Sequence, residues 1–247
     1  MDEMNSEADF NGVGHSGFND ELMSLRVCLV NFQEDTDTRS SVLEDEVEEI
    51  LLPDGNKELK VETNFFGMLP NEIITKILSY LTLRELCHFV SPICKQWHIY
   101  AMNPLLWQRL PFEEIYNVSP ENLVTLIQSK CTLLKELNLK CQSELSLYEC
   151  QIIAQSCPML ETLSLAFCTQ VNKEIIKSFV AYCPKLQNLN IEGCKVYDDS
   201  LFLLQNIPLK RLNVSHCTHL SDDGLVFIGK HCPHIRDLNF DGVQWIT

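Results

Sequence analysis

The chain contains no run of 18 apolar residues, and its first residues, MDEMNSEADF, lack both the positive start and the apolar stretch of a secretory signal. A membrane-spanning helix and export by that route are therefore not expected. No repeated C-x-x-C spacing, glycine-rich phosphate loop, H-E-x-x-H or G-x-S-x-G motif occurs, so zinc chemistry, phosphate cradling and the common hydrolytic sites have no support. A long basic run is also missing, which counts against nucleic acid and anionic membranes as partners.

What is present divides in two. Residues 1–64 hold 17 of the 34 acidic residues but 4 of the 19 basic ones, a net charge of −13, whereas residues 65–247 carry 15 against 17, a net −2. The stretch 1–64, with few aromatics and the acidic run LEDEVEEI at 43–50, buries too little apolar surface to offset its ordering entropy and reads as a disordered acidic tail. It contains one apolar patch, LMSLRVCLVNF at 22–32, and Ser41 in a setting that suits an acidophilic kinase. In a chain without an export signal the 12 cysteines should stay thiols, which fits a cytoplasmic or nuclear location.

From Met68 the texture changes. MLPNEIITKILSYL places Ile73, Ile74, Ile77, Leu78 and Leu81 on one helical stripe that Pro70 can open. TLRE then forms a capping box, Thr82 with Glu85, that starts a second helix through LCHFV, and Pro92 should kink or divide it. A third apolar group, ICKQWHIYAMNPLLWQRL, is anchored by Trp97 and Trp107. Ser119, Pro120 and Glu121 give the start of a further helix.

Beyond it the sequence repeats itself. Leu137 and Leu139 return as Leu163 and Leu165, Leu189 and Ile191, Leu212 and Val214, and Leu238 and Phe240, in steps of 26, 26, 23 and 26 residues. A period in the twenties with the pattern L-x-x-L-x-L-x-x-C is the signature of leucine-rich repeats, each a short strand plus a helix. The pattern residues point into the core and their neighbours onto the concave face. Those outward positions are Glu136, Asn138, Lys140; Thr162, Ser164, Ala166; Asn188, Asn190, Glu192; Arg211, Asn213, Ser215; and Asp237, Asn239, Asp241. They suit hydrogen bonding to an extended segment, or they simply solvate the sheet.

One cysteine closes the helix of most repeats, at Cys131, Cys157, Cys183 and Cys232; a second follows the strand at Cys168, Cys194 and Cys217. Cys141 comes one place early and Val243 replaces the last. Recurrence at equivalent places argues for packing, since a nucleophile needs one distinguished position and an activating base. His216, His219, His231 and His234 sit on turns and a helix end and read as surface residues. No metal, cofactor or catalytic constellation is expected.

Residues from about 66 to 110, with MLPNEIITKILSYL, CKQW and LLWQRL, resemble an F-box, and the repeats resemble the cysteine-containing repeats of the F-box and leucine-rich-repeat family. The resemblance implies an α/β fold: a leucine-rich-repeat solenoid, parallel strands inside and helices outside, preceded by a small three-helix F-box. The divisions are a tail at 1–64, an F-box at 65–111, a linker helix at 112–130 and about five repeats at 131–247. It further implies a non-catalytic substrate receptor of an SCF-type cullin–RING E3 ubiquitin ligase. The F-box would bind the Skp adaptor and, through it, cullin and RING subunits, and the repeats would hold a protein substrate for ubiquitination and proteasomal degradation. Matching the family motif puts Leu69, Pro70, Ile73, Leu78, Leu81, Cys94, Trp97 and Trp107 at the adaptor interface or in its support, the alternative for each apolar one being internal packing. Between Leu86 and Cys94 the chain is one residue longer than the family's spacing. A scaffold outside a ligase, or a truncated isoform competing with a full-length receptor, is the alternative role. The ending DGVQWIT shows no capping unit, which suggests truncation or a covered edge.

Overall fold

The computed structural model describes residues 69–116 and 118–243, together with the backbone of strands β1 (Glu49–Leu51) and β2 (Lys57–Leu59), paired antiparallel with Ile50 opposite Glu58. The rest of the acidic stretch, including the 22–32 patch and Ser41, lies outside the described residues.

Helix α1 (Asn71–Leu78) opens on the Pro70 carbonyl, which accepts the N–H groups of Ile73 and Ile74. Only Ile74 and Leu78 of the apolar stripe are buried; Ile73, Ile77 and Leu81 are exposed. The stripe is therefore two faces, one closing the core and one open. Helix α2 (Leu83–Glu85) starts on the expected capping box: the Thr82 hydroxyl accepts the Glu85 N–H at 3.2 Å and the Thr82 N–H donates to the Glu85 carboxylate at 2.8 Å. Those bonds from Thr82 hold the Glu85 carboxyl below its ordinary pKa.

The chain then widens into a π-helical turn, Leu86–Val90, closed by Ser91 N–H donating to the Leu86 carbonyl at 2.8 Å. A π turn takes one residue more than an α turn. Pro92, in the turn that follows, divides this helix from α3 (Lys95–Ala101). Trp107 is wholly buried and donates its indole N–H to the Ala101 carbonyl at 2.9 Å.

Directly after Trp107 comes β3 (Arg109–Leu110), the first strand of a six-stranded parallel sheet in the order β3-β4-β5-β6-β7-β8. The others are β4 (Glu136–Asn138), β5 (Thr162–Ser164), β6 (Asn188–Asn190), β7 (Arg211–Asn213) and β8 (Asp237–Asn239). Leu110, Leu137, Leu163, Leu189, Leu212 and Leu238 stand in one column across it. Parallel neighbours need a crossover, and the connections carry helices α4 (Phe112–Ile115), α5 (Pro120–Lys130), α6 (Leu147–Ser156), α7 (Lys173–Tyr182), α8 (Asp198–Leu201) and α9 (Asp222–His231). The sheet thus begins inside the segment assigned to the F-box, and α5, read as a linker, is the crossover helix of the first unit. Short β3 carries no L-x-L pair, so the repeat pattern does not reveal it. One continuous core runs from Ile74 in α1 to Val243.

After each full-length strand the backbone passes through one left-handed residue: Cys141, Phe167, Gly193, His216 and Gly242, with φ between 57° and 69°. Its N–H donates to the next repeat, Cys141 to Ala166, Phe167 to Glu192, Gly193 to Ser215 and His216 to Asp241, at 2.7–2.9 Å. The two glycines have a second reason. A Cβ on Gly193 would lie 2.6 Å from the Phe167 ring, and one on Gly242 would lie 2.5 Å from His216 Nδ1. Gly193→Ala should therefore cost about 1–3 kcal/mol through the left-handed backbone and the ring contact together. Thermal unfolding measures it, and Phe167→Ala in the same chain should return part of the loss.

Candidate functional site

The concave face is the first of two candidate surfaces. A groove of about 420 Å³ is lined there by Asn138, Ser164, Asn188, Asn190, Arg211 and Asn213, among others. The asparagines that end four of the strands are engaged locally. The side-chain carbonyls of Asn138, Asn190, Asn213 and Asn239 accept the N–H of Lys140, Glu192, Ser215 and Asp241, at 3.0–3.1 Å. An asparagine that bonds the backbone two residues on holds a turn, here the one leading to the left-handed residue.

The carbonyl half of each amide thus belongs to the scaffold. Two of the groove's amides donate sideways, Asn188 to the Thr162 hydroxyl at 2.8 Å and Asn213 to the Glu192 carboxylate at 3.3 Å. Arg211, Asp237, Asn239 and Asp241 are exposed, and Glu192 is half-buried. Glu136 pairs with Arg109 at 3.2 Å, and the Lys140 ammonium lies 5.4 Å above the Phe167 ring. Ala166 and Ser215, expected to face outward, are buried, because the strands end two residues earlier and the chain has begun to turn.

The second surface belongs to α1–α3. Of the eight residues matched to the F-box motif, Leu69, Pro70, Ile73, Leu81 and Cys94 are exposed. Leu78 and Trp107 are buried and act as internal support, not as contacts. Trp97 is half-buried, edge-on to Tyr100 at 6.1 Å. Motif reasoning missed several exposed apolar neighbours, Ile77, Tyr80, Phe89, Ile93, Ile99 and Leu105. Helical periodicity finds an apolar position but not which of two apolar faces the core takes.

The cysteines are structural donors. Cys168, Cys194 and Cys217 point their thiols at the carbonyls of Leu139, Leu165 and Ile191 in the preceding repeat, at 3.0–3.1 Å, and Cys183 reaches the Cys157 carbonyl at 3.4 Å. Burial pushes the Cys183 and Cys194 thiols up to about 12 and Cys168 and Cys217 up to about 11, the opposite of what a nucleophile needs. Cys141 is not a displaced member of this set: it occupies the exposed left-handed position. Gln142 fills the buried slot in its place and donates to the carbonyls of Ile115 and Tyr116 at 2.9 and 3.3 Å, tying the repeats to α4. His219 and His231 lie against Tyr197 and Phe227 on separate turns. Among the described residues no group of three His, Cys, Asp or Glu side chains could hold a metal.

These features define a leucine-rich-repeat solenoid fused to a helical segment with an exposed apolar face. Residues 66–113 match the F-box-like family, and residues 205–229 match the leucine-rich-repeat family. The chain thus carries an F-box-like segment and, further on, a leucine-rich-repeat match. Over 75 residues the chain is 32% identical to F-box/LRR-repeat protein 4 of Bos taurus, a match covering 30% of this chain and 12% of that relative's length. Among solved structures, a chain of the Rad7 and Elc1 complex from yeast aligns with a TM-score of 0.45 at 20% identity, over 52% of this chain and 34% of that one. Leiomodin-1 actin-binding site 2 aligns with a TM-score of 0.41 at 10% identity, over 47% of this chain and 76% of that one.

Asn138→Ala should lower stability by about 1 kcal/mol, the worth of one net hydrogen bond, with Asn138→Asp, which keeps the acceptor for the Lys140 N–H, losing less; chemical denaturation distinguishes them. The thiols predict a pH effect. Their folded pKa values stand above the roughly 8.5 of an unfolded cysteine. Their contribution is therefore complete below pH 8.5 and is lost as pH rises towards 12. The melting temperature should fall between pH 7 and 10, while mass-mapped alkylation at pH 8 should label Cys94 and Cys141 and spare Cys183 and Cys194 until the chain unfolds.

Proposed function

We propose that the chain is a substrate-recognition subunit of an SCF-type cullin–RING E3 ubiquitin ligase, acting in the cytoplasm or nucleus without chemistry of its own. What carries the reading is the F-box-like segment's exposed apolar set, Leu69, Ile73 and Leu81, on a unit whose core is closed by Leu78 and Trp107 and joined to the repeats through β3. In this reading α1–α3 are the three-helix F-box and dock the Skp adaptor, which bridges to cullin and RING subunits. The concave groove holds a protein substrate for ubiquitination and proteasomal degradation.

Catalysis would then be by position. Because the adaptor face and the groove share one core, a bound substrate is held at a fixed offset from the ubiquitin-charged partner, which raises the effective concentration of its lysines. The groove offers amide N–H₂ groups, Arg211 and the Glu192 and Asp237 carboxylates, a set that suits the backbone carbonyls and mixed charges of an extended segment.

Affinity purification tests this. The intact chain should recover a Skp adaptor and a cullin, and the exposed pair Leu69→Ala, Ile73→Ala should lower recovery by roughly tenfold or more, as loss of two anchors does. The melting temperature should hardly change, since neither side chain is in the core. Failure of the intact chain to recover either subunit would leave an interaction scaffold outside a ligase.

A further inference from the structure

The two edges of the solenoid carry opposite charge. Where the chain leaves the strands and enters the helices, Glu149, Glu174, Asp198, Asp199, Asp222 and Asp223 occupy first helical turns. Where it leaves the helices and enters the strands, Lys135, Lys210 and Arg236 immediately precede β4, β7 and β8, with Glu161 and Gln187 at the matching positions and Lys185 two residues before Gln187. Helix dipoles explain acids in first turns and cations in last turns, such as Lys230. They do not explain Lys210 and Arg236, which stand beyond the helices at the entries to β7 and β8.

Those two residues are joined through the backbone, Arg236 N–H donating to the Lys210 carbonyl at 2.8 Å. With Pro208, Pro233 and His234 they wall a cavity of about 230 Å³ whose lining contains no carboxylate. Lys210, His234 and Arg236 are exposed, and none forms an ion pair with a described residue.

We propose that this basic cavity binds the chain's own acidic segment, residues 34–48. That segment holds seven carboxylates and a single arginine, in a chain whose remaining part, 65–247, is close to neutral. An Arg236 guanidinium takes a carboxylate through two parallel N–H groups, and Lys210 adds a point charge beside it. Leu43 and Val47, interleaved with the acids, match the two prolines of the wall.

Chain length permits the contact. Twenty residues, 49–68, separate Glu48 from Leu69, a contour of up to about 65 Å, against about 24 Å from β3 to β8 at roughly 4.8 Å per strand. With β1 and β2 folded back on each other, residues 60–68 alone still reach about 30 Å. Tethering gives an effective concentration in the millimolar range, so weak pairing is enough to populate the bound form. Lys210 and Arg236 immediately precede Arg211 and Asp237, which line the groove. If the groove holds substrate, as proposed above, the bound segment sits at its rim; the binding itself does not depend on that reading.

Carbodiimide coupling of the full chain, followed by mass mapping, is the test, since it joins a lysine amine to a carboxylate in direct contact. Lys210 should couple to Glu44, Asp45, Glu46 or Glu48 with a yield about fivefold above that of Lys195, an exposed lysine of the opposite edge. In a mixture of isotopically labelled and unlabelled chains the link should form within one chain. Roughly 0.5 M salt and Arg236→Gln should each reduce it, and a chain with E44Q, D45N, E46Q and E48Q should lose it. Equal yields at Lys210 and Lys195, links only between chains, or a yield that neither salt nor Arg236→Gln reduces would overturn the proposal. No adaptor or ligase is involved, so the outcome is independent of the preceding section's test.

Discussion

The rest of the structure depends on how each repeat leaves its strand. At that point one residue turns left-handed and gives its N–H to the next repeat, while the residue after it faces inward and, where it is Cys168, Cys194 or Cys217, gives a thiol hydrogen bond to the repeat before. Each repeat is thus tied on both sides through backbone carbonyls. Those of Leu139, Leu165 and Ile191 already accept an N–H within their own turn, from Gln142, Cys168 and Cys194, so the thiol is a second donor to each, compact enough for the turn and able to cross to the repeat before.

The same constraint organises both candidate surfaces. The asparagine carbonyls brace the turns that end four strands of the concave face, and residues of those strands line the groove. At the other end Gln142 uses the cysteine slot to bind the carbonyls after α4, and β3 extends the sheet to Trp107. The helical segment is therefore an end unit of the solenoid. A surface that needs rigid offset from another gains it here without a linker, because both share one core.

Legibility in the sequence followed periodicity. Five of the six strands of the parallel sheet were readable because L-x-L recurs at nearly constant spacing, and the Thr82–Glu85 capping box because its chemistry is local. β3 was not, since Arg109–Leu110 is too short to show alternation and owes its strand geometry to pairing with β4. The F-box-like residues were readable as a set but not by role: Leu78 and Trp107 went inside, while Ile73 and Leu81 stayed out. Cys141 was misplaced by a count of spacing alone, because the sequence shows a cysteine but not the backbone dihedral that decides whether it faces in or out.

The amino-acid order by itself determined the repeat, the inward leucines, the helix starts and the uneven charge, since each depends on neighbours within a turn or two. Only the tertiary structure decided which apolar face closed, which neighbours the asparagines bond, and that Lys210 and Arg236 stand together at one edge. Those outcomes depend on groups about 26 residues apart being stacked one strand spacing from each other, and no local pattern encodes that contact.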